Sequence, residues 1–380
     1  DLDSSLVGSE MCIRDRLNAS GRFVAAAAAP VLLNMMLIGA MALAAYLGGD
    51  IARALIWTIP FAGIAQFALL WISVRRAGFK LRIKRPTLSP EMRNLVRVAL
   101  PAALAGGVVQ INLLVGQQVA SYFDKAVGWL FAADRLYQLP LGVVGIAIGV
   151  VLLPDLSRRL KARDDDGAKN ALSRAAEIAL ALTIPSAFAL VLIPLPLVSV
   201  LFERGAATVD DTAAIALAVA IYGLGLPAFV LQKIMQPVYF AREDTSRPFH
   251  YAVVSMVVNA ALAIGLAPVI GWFAPAIATT VAAWAMVALL RQGAKSYGTV
   301  VQFDARFHKR VWRMVLASLV MGVVLWVAGA LLNPFLGLPW WRGLALAALI
   351  AAGVVSYFAA GQALGAFRLS EFRQALRRNG

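Results

Sequence analysis

Apolar residues in this chain fall in long uninterrupted blocks, not in stripes or alternations. Ten blocks are long enough to cross a hydrocarbon core of about 30 Å as helices. They are Val24–Leu47, Ile51–Ile72, Leu95–Tyr122, Val127–Leu153, Ala175–Leu201, Thr212–Tyr239, Phe249–Ile270, Trp272–Leu290, Val311–Leu332 and Trp340–Ala363. A soluble core helix would show an apolar stripe on one face. In lipid each backbone polar group needs a partner within its own segment, so every block is predicted to be helical. The expected fold is all-α: a polytopic membrane bundle of about ten transmembrane helices.

Composition agrees. Of 380 residues 61% are hydrophobic and 14% charged, against about 25% charged in a typical soluble domain. The formal net charge of +15 could suggest nucleic acid, but the basic residues sit between the spans, as membrane topology requires. Of the 35 Lys and Arg, 29 lie on one side of the alternating ten-span scheme and four (Arg53, Lys125, Arg204, Arg342) on the other, with Arg135 and Lys233 inside spans. The basic side faces the cytoplasm by the positive-inside rule, which puts both termini there. Nucleic acid is therefore not an expected partner, whereas membrane lipids are.

Residues 1–16 are polar and aperiodic, unlike a signal peptide, which needs an apolar run. The stretch SLVGSEMCIRDR looks like a translated sequencing-adapter scar, and residues 1–16 are set aside as a non-native leader. Cys12 is the single cysteine, so neither a disulfide framework nor a thiolate metal site is available. His250 and His308 fall at span ends. No Walker A loop, GxSxG elbow, HExxH motif or embedded carboxylate pair is present; neither an enzyme nor a cofactor is expected.

Polar residues inside spans are costly and become functional candidates. Arg135 falls about 12 Å below the outer end of the fourth span at 1.5 Å per residue, beside Asp134 and Gln138. A guanidinium there can grip a phosphate bidentately. It can also pair with Asp134 or snorkel outward. Gly142, Gly145 and Gly149 offer close packing lower on the same span. Lys233 lies roughly 31 Å along the sixth span, where snorkelling to the headgroups competes with a substrate role. Gln232, Gln236 and Tyr239 share a face, as do Gln110 and Gln117; hydrogen bonds between helices explain these as well as substrate contacts do. Pro101, Gly106 and Gly107 in the third span, and Gly223, Gly225, Pro227 and Pro237 in the sixth, suggest the bent helices that line transporter cavities.

Several segments carry a resemblance. Asp134-Arg135-Leu136-Tyr137-Gln138-Leu139-Pro140-Leu141-Gly142, with Leu152-Leu153-Pro154-Asp155-Leu156-Ser157-Arg158, resembles the eighth helix of the MurJ (MviN) family and its LLPxLSR ending. Leu201–Ala206 resembles that family's FxRGAF-like loop, and Lys233–Pro248 its KVLAPxFYARxDTxTP stretch. Leu17-Asn18, Arg22-Phe23 and Pro30–Asn34 resemble the start of its fifth helix. The family belongs to the multidrug/oligosaccharidyl-lipid/polysaccharide exporter superfamily.

The resemblance implies an inner-membrane flippase. It would carry lipid II, the undecaprenyl-pyrophosphate disaccharide-peptide precursor of peptidoglycan, to the outer leaflet by alternating access. Arg135 would attract the pyrophosphate, Asp134 and Gln138 would orient it, and Lys233 would recruit it. Cell-wall synthesis proteins are the implied partners. Family members have fourteen helices, so the resemblance also implies an N-terminal truncation. Residues 17–72 would be a two-helix remnant of the first lobe, 73–94 a basic loop, 95–291 a complete six-helix lobe, 311–365 a terminal pair and 366–380 a tail. Such a fragment is expected to insert but not to flip. Some members bind sodium through two carboxylates; Gly116 and Ala263 stand at the matching places, leaving Asn259, Thr279 and Thr280 as a degraded ion site. A related polysaccharide or multidrug exporter, or a non-transporting scaffold, are the alternatives.

Overall fold

The computed structural model describes residues 23–76, 107, 110–162, 164–205, 207–242, 244–301, 303–338 and 340–367; of 23–27, 143–151, 153–154, 161 and 299–301 only the backbone is described. The set-aside leader 1–16, nearly all of the basic loop 73–94, Pro101, Gly106 and the tail beyond Phe367 lie outside these residues.

The chain divides into two compact units at Asn94/Leu95. The first holds α1 (Phe23–Tyr46) and α2 (Ile51–Arg76), packed as an antiparallel pair. Asp50 starts α2 by accepting the Ala52 N–H at 2.9 Å. Gln66 reaches across to donate to the Ala29 carbonyl at 2.7 Å, a bond that holds well where no water competes.

The second unit contains α3 (110–120), α4 (Ala126–Lys161), α5 (Asp165–Leu192), α6 (Pro194–Phe202), α7 (Val209–Phe240), α8 (Ser246–Ile270), α9 (Ala274–Ala294), α10 (Ala305–Leu336) and α11 (Arg342–Ala363). No strand occurs among the described residues. Seven described stretches are long and apolar enough to span a bilayer, and one of them, Ser246–Gly298, contains both α8 and α9. Eight of the ten expected spans overlap these stretches. The third lies mostly outside the described residues, and the fourth is the 36-residue α4.

Two boundaries differ from the hydropathy reading. The expected fifth span, Ala175–Leu201, is two helices: α5 begins ten residues earlier, at Asp165, and stops at Leu192. Ile193 takes a non-helical conformation and Pro194 opens α6; proline has no N–H to continue the ladder and suits the first turn of a new helix. α4 likewise runs past Leu153 to Lys161. Hydropathy marks where lipid ends, whereas a helix continues into water wherever its residues allow it.

α7 is the central helix of the second unit, packed on α4, α5 and α9. Its glycines permit the close approach: a Cβ on Gly223 would lie 2.9 Å from Leu190 Cβ, and one on Gly225 would lie 3.1 Å from Thr280 Oγ1. Side chains then stitch α7 to α9. The Thr280 hydroxyl donates to Ile221 O (3.0 Å), Gln232 Nε2 to Ala283 O (2.9 Å) and the Tyr239 hydroxyl to Leu290 O (2.6 Å). Gln232 and Tyr239 therefore serve helix packing, one of the two readings the sequence left open. A Cβ on Gly142 would meet nothing within 4 Å among the described residues.

Candidate functional site

A cavity of about 290 Å³ with polar and apolar walls opens among α3, α4, α7 and α9. Asp134, Arg135 and Gln138 all line it, one helical turn apart or adjacent on α4, as does Thr279 of α9. Asn112, Gly116 and Gln117 of α3 complete the polar wall, and Tyr137 and Tyr222 form its aromatic side.

The carboxylate and the guanidinium are handled differently. Gln138 Nε2 donates to Asp134 Oδ2 along the helix. Tyr137 is fixed by Tyr222 and Phe229, with ring centroids 5.1 and 5.4 Å away. Arg135 makes no ion pair with Asp134 among the described residues. Its guanidinium lies over the Phe131 ring, 4.5 Å from the centroid, and the residue is exposed. A cation held on an aromatic face keeps its N–H edge available for an anion.

Lys233 does not reach this cavity; it is exposed on α7. The expected ion-site residues are also dispersed. Thr279 lines the cavity, Thr280 is spent on the α7 backbone, and Asn259 is buried at 2% exposure, its Nδ2 donating to Asn112 Oδ1. Gly116 and Ala263 supply no carboxylate, and no cluster of three metal-ligating His, Cys, Asp or Glu side chains exists among the described residues.

Sequence reading missed Phe131, Tyr137 and Tyr222. The four-residue spacing of Phe131 and Arg135 was a usable signal, since such residues share a helix face; nothing local pairs Tyr222 with α4.

At the end of the unit carrying Lys125 and Arg204, Asp211 joins two helices. It accepts from Trp129 Nε1 (2.9 Å) and Lys125 Nζ (3.3 Å) while forming a capping box with Thr208. This group anchors the mouth of α4 beside α7. At the opposite end, the Asp244 carboxyl is held below its usual range, chiefly by the hydrogen bond from the Tyr297 hydroxyl. Arg242 and Arg247 lie over the Tyr297 ring, 4.6 and 5.1 Å from its centroid.

These features define a multi-pass membrane bundle with a cavity among its helices into which one arginine and one carboxylate project. The family profile described as "Lipid II flippase MurJ" matches residues 11–367. A Rhizobium meliloti protein named "Probable lipid II flippase MurJ" is 41% identical over 377 residues, covering 95% of this chain and 69% of its own length. A Rhizobium tropici protein of the same name is 42% identical over 324 residues, covering 84% of this chain and 61% of its own. A solved structure titled "Lipid II flippase MurJ, inward closed conformation" shares the fold, with a TM-score of 0.75 at 23% identity over 93% of this chain and 70% of that one. The chain belongs to the MurJ family, and it spans between about three-fifths and seven-tenths of the length of these relatives.

Proposed function

We propose that this chain forms the cavity-bearing part of a lipid II flippase, which moves the undecaprenyl-pyrophosphate-linked peptidoglycan precursor from the inner to the outer leaflet of the bacterial cytoplasmic membrane. The observation that carries the reading is Arg135. Among the described residues its guanidinium has no carboxylate partner, and it rests on Phe131 at a cavity within a membrane bundle. A pyrophosphate and sugar head group cannot cross hydrocarbon unaided, and an arginine with its fork of donors is suited to it. Asp134, held by Gln138, would accept from sugar or peptide donors. Asn112 and Gln117 add further polar contacts. Lys233 serves as a recruiting charge at the cytoplasmic surface, not as a cavity ligand. Membrane potential can contribute, since one charge moved across 100 mV is worth about 2.3 kcal/mol.

The orientation rests on the 29-to-4 distribution of basic residues, with both termini cytoplasmic. Cysteines replacing Lys84 and Arg163 should be shielded from an impermeant external thiol reagent in intact cells, and one replacing Ala207 should label. Labelling at Lys84 would overturn the orientation.

The functional test is complementation. A family flippase whose matching segment is replaced by residues 17–367 of this chain should support growth as the sole flippase. Arg135→Ala in it should insert at equal level and fail to support growth, and Arg135→Lys should rescue only in part, because a point charge cannot reproduce the fork. Normal growth with Arg135→Ala would remove the arginine from the substrate site.

A further inference from the structure

Asn259 is a buried amide that does not itself line the Arg135 cavity. It lies on α8 one turn before Ala263, which packs with Val119 of α3 and Ala278 of α9 in a small apolar cluster. A polar group buried beside such a seam needs a hydrogen-bond partner. Its Nδ2 finds one by donating to Asn112 Oδ1 of α3. Asn112, by contrast, lines the cavity and is partly exposed.

The direction of that bond decides what Asn112 offers. Its carbonyl is spent on Asn259, and its Nδ2 makes no hydrogen bond among the described residues, so the amide keeps its two N–H donors for the cavity. Turning Asn112 over would set its Nδ2 against the Nδ2 of Asn259, donor against donor. Turning Asn259 over as well would strand that residue's N–H groups where its Oδ1 now lies, buried and without a partner among the described residues. An unpaired carbonyl oxygen is better tolerated than an unpaired N–H. The buried asparagine thus holds the exposed one as a donor. Arg135 also carries donors and no acceptor, so a ligand group shared by the two must be rich in acceptors, as a phosphoryl group is.

On the reading of this cavity as a lipid-linked pyrophosphate site, we infer that Asn112 donates to a phosphoryl oxygen of the substrate, and that Asn259 is the positioning residue that keeps it facing that way. Asn259 touches no substrate and acts through Asn112 alone.

The test counts undecaprenyl pyrophosphate retained by the full chain in phosphatidylcholine nanodiscs, using native mass spectrometry, with undecaprenol as the phosphate-free control. Asn259→Leu should weaken the pyrophosphate lipid about threefold, less than the value of a hydrogen bond to a charged group, because the donor is loosened and not lost. Asn112→Leu combined with Asn259→Leu should weaken it about tenfold, the order of one such bond. Neither should change retention of undecaprenol. Both variants should keep the wild-type thermal midpoint: the first leaves only a cavity-facing amide unpaired, and the second replaces both partners of the bond by apolar groups, which is nearly neutral. A purely structural bridge predicts the opposite, with wild-type binding in the double variant. Arg135→Ala, run beside them, separates the two readings. Loss with Arg135→Ala but wild-type binding in the double variant would overturn this inference alone, and wild-type binding in all three would remove the phosphate site as well. An equal loss of undecaprenol would also overturn the inference.

Discussion

Two arginine–carboxylate groups sit in the second unit and are built on opposite plans. Around Glu177, three arginines converge on one buried carboxylate, and Asp304 takes a further bond from Arg174. Around Asp134, the carboxylate takes a hydrogen bond from Gln138, while the adjacent Arg135 is turned onto Phe131. Removing one partner of a buried pair leaves uncompensated charge, so the first group is bound up with folding. The second keeps a cation at moderate cost by stacking it on a ring, and is thereby free to exchange partners. On the proposed reading, the paired charge serves structure and the stacked charge, which has no ion pair among the described residues, serves the ligand.

That contrast can be broken at several points. Arg135→Ala should abolish transport while leaving the thermal midpoint close to wild type, the largest functional effect expected of any single change. Glu177→Ala should do the reverse in order of cause: a loss of about 3–5 kcal/mol in stability, read as a lower thermal midpoint and lower membrane abundance, with transport per folded molecule largely kept. A Glu177→Ala protein as stable as wild type would remove the distinction between the two groups.

The helices were legible in the sequence because lipid imposes one rule everywhere: an apolar block of sufficient length must be helical. Asp134, Arg135 and Gln138 were legible for the same reason, since charge inside such a block stands out. What could not be read is whatever depends on a neighbour distant in sequence. Tyr222 reaches Tyr137 from α7, Asn259 meets Asn112 across 147 positions, and Arg310 meets Glu177 across 133. For Lys233 the sequence left snorkelling and a substrate role open; it is exposed on α7 and does not line the cavity. Thr279 and Thr280 looked interchangeable, yet adjacent helix positions point about 100° apart, and only Thr279 lines the site.

Two smaller effects sharpen the comparison. Phe131→Leu removes the ring beneath Arg135 and should cost about 0.5–1 kcal/mol of guanidinium placement, a twofold to fivefold fall in transport with stability unchanged. At the cytoplasmic end Asp244 provides a pH signature. Its folded-state carboxyl titrates below the ordinary value of about 3.9, so its contribution to stability is present above that value and lost as pH falls through the lower one. The wild-type thermal midpoint should carry a small acid-sensitive component below about pH 4, and Asp244→Asn should lack it.

The most direct measurement is leaflet translocation of a labelled lipid-linked precursor in vesicles holding the chimeric flippase, wild type beside Arg135→Ala and Glu177→Ala at equal folded protein. The account expects translocation to vanish with Arg135→Ala and to persist with Glu177→Ala. Translocation by Arg135→Ala at the wild-type rate would contradict it.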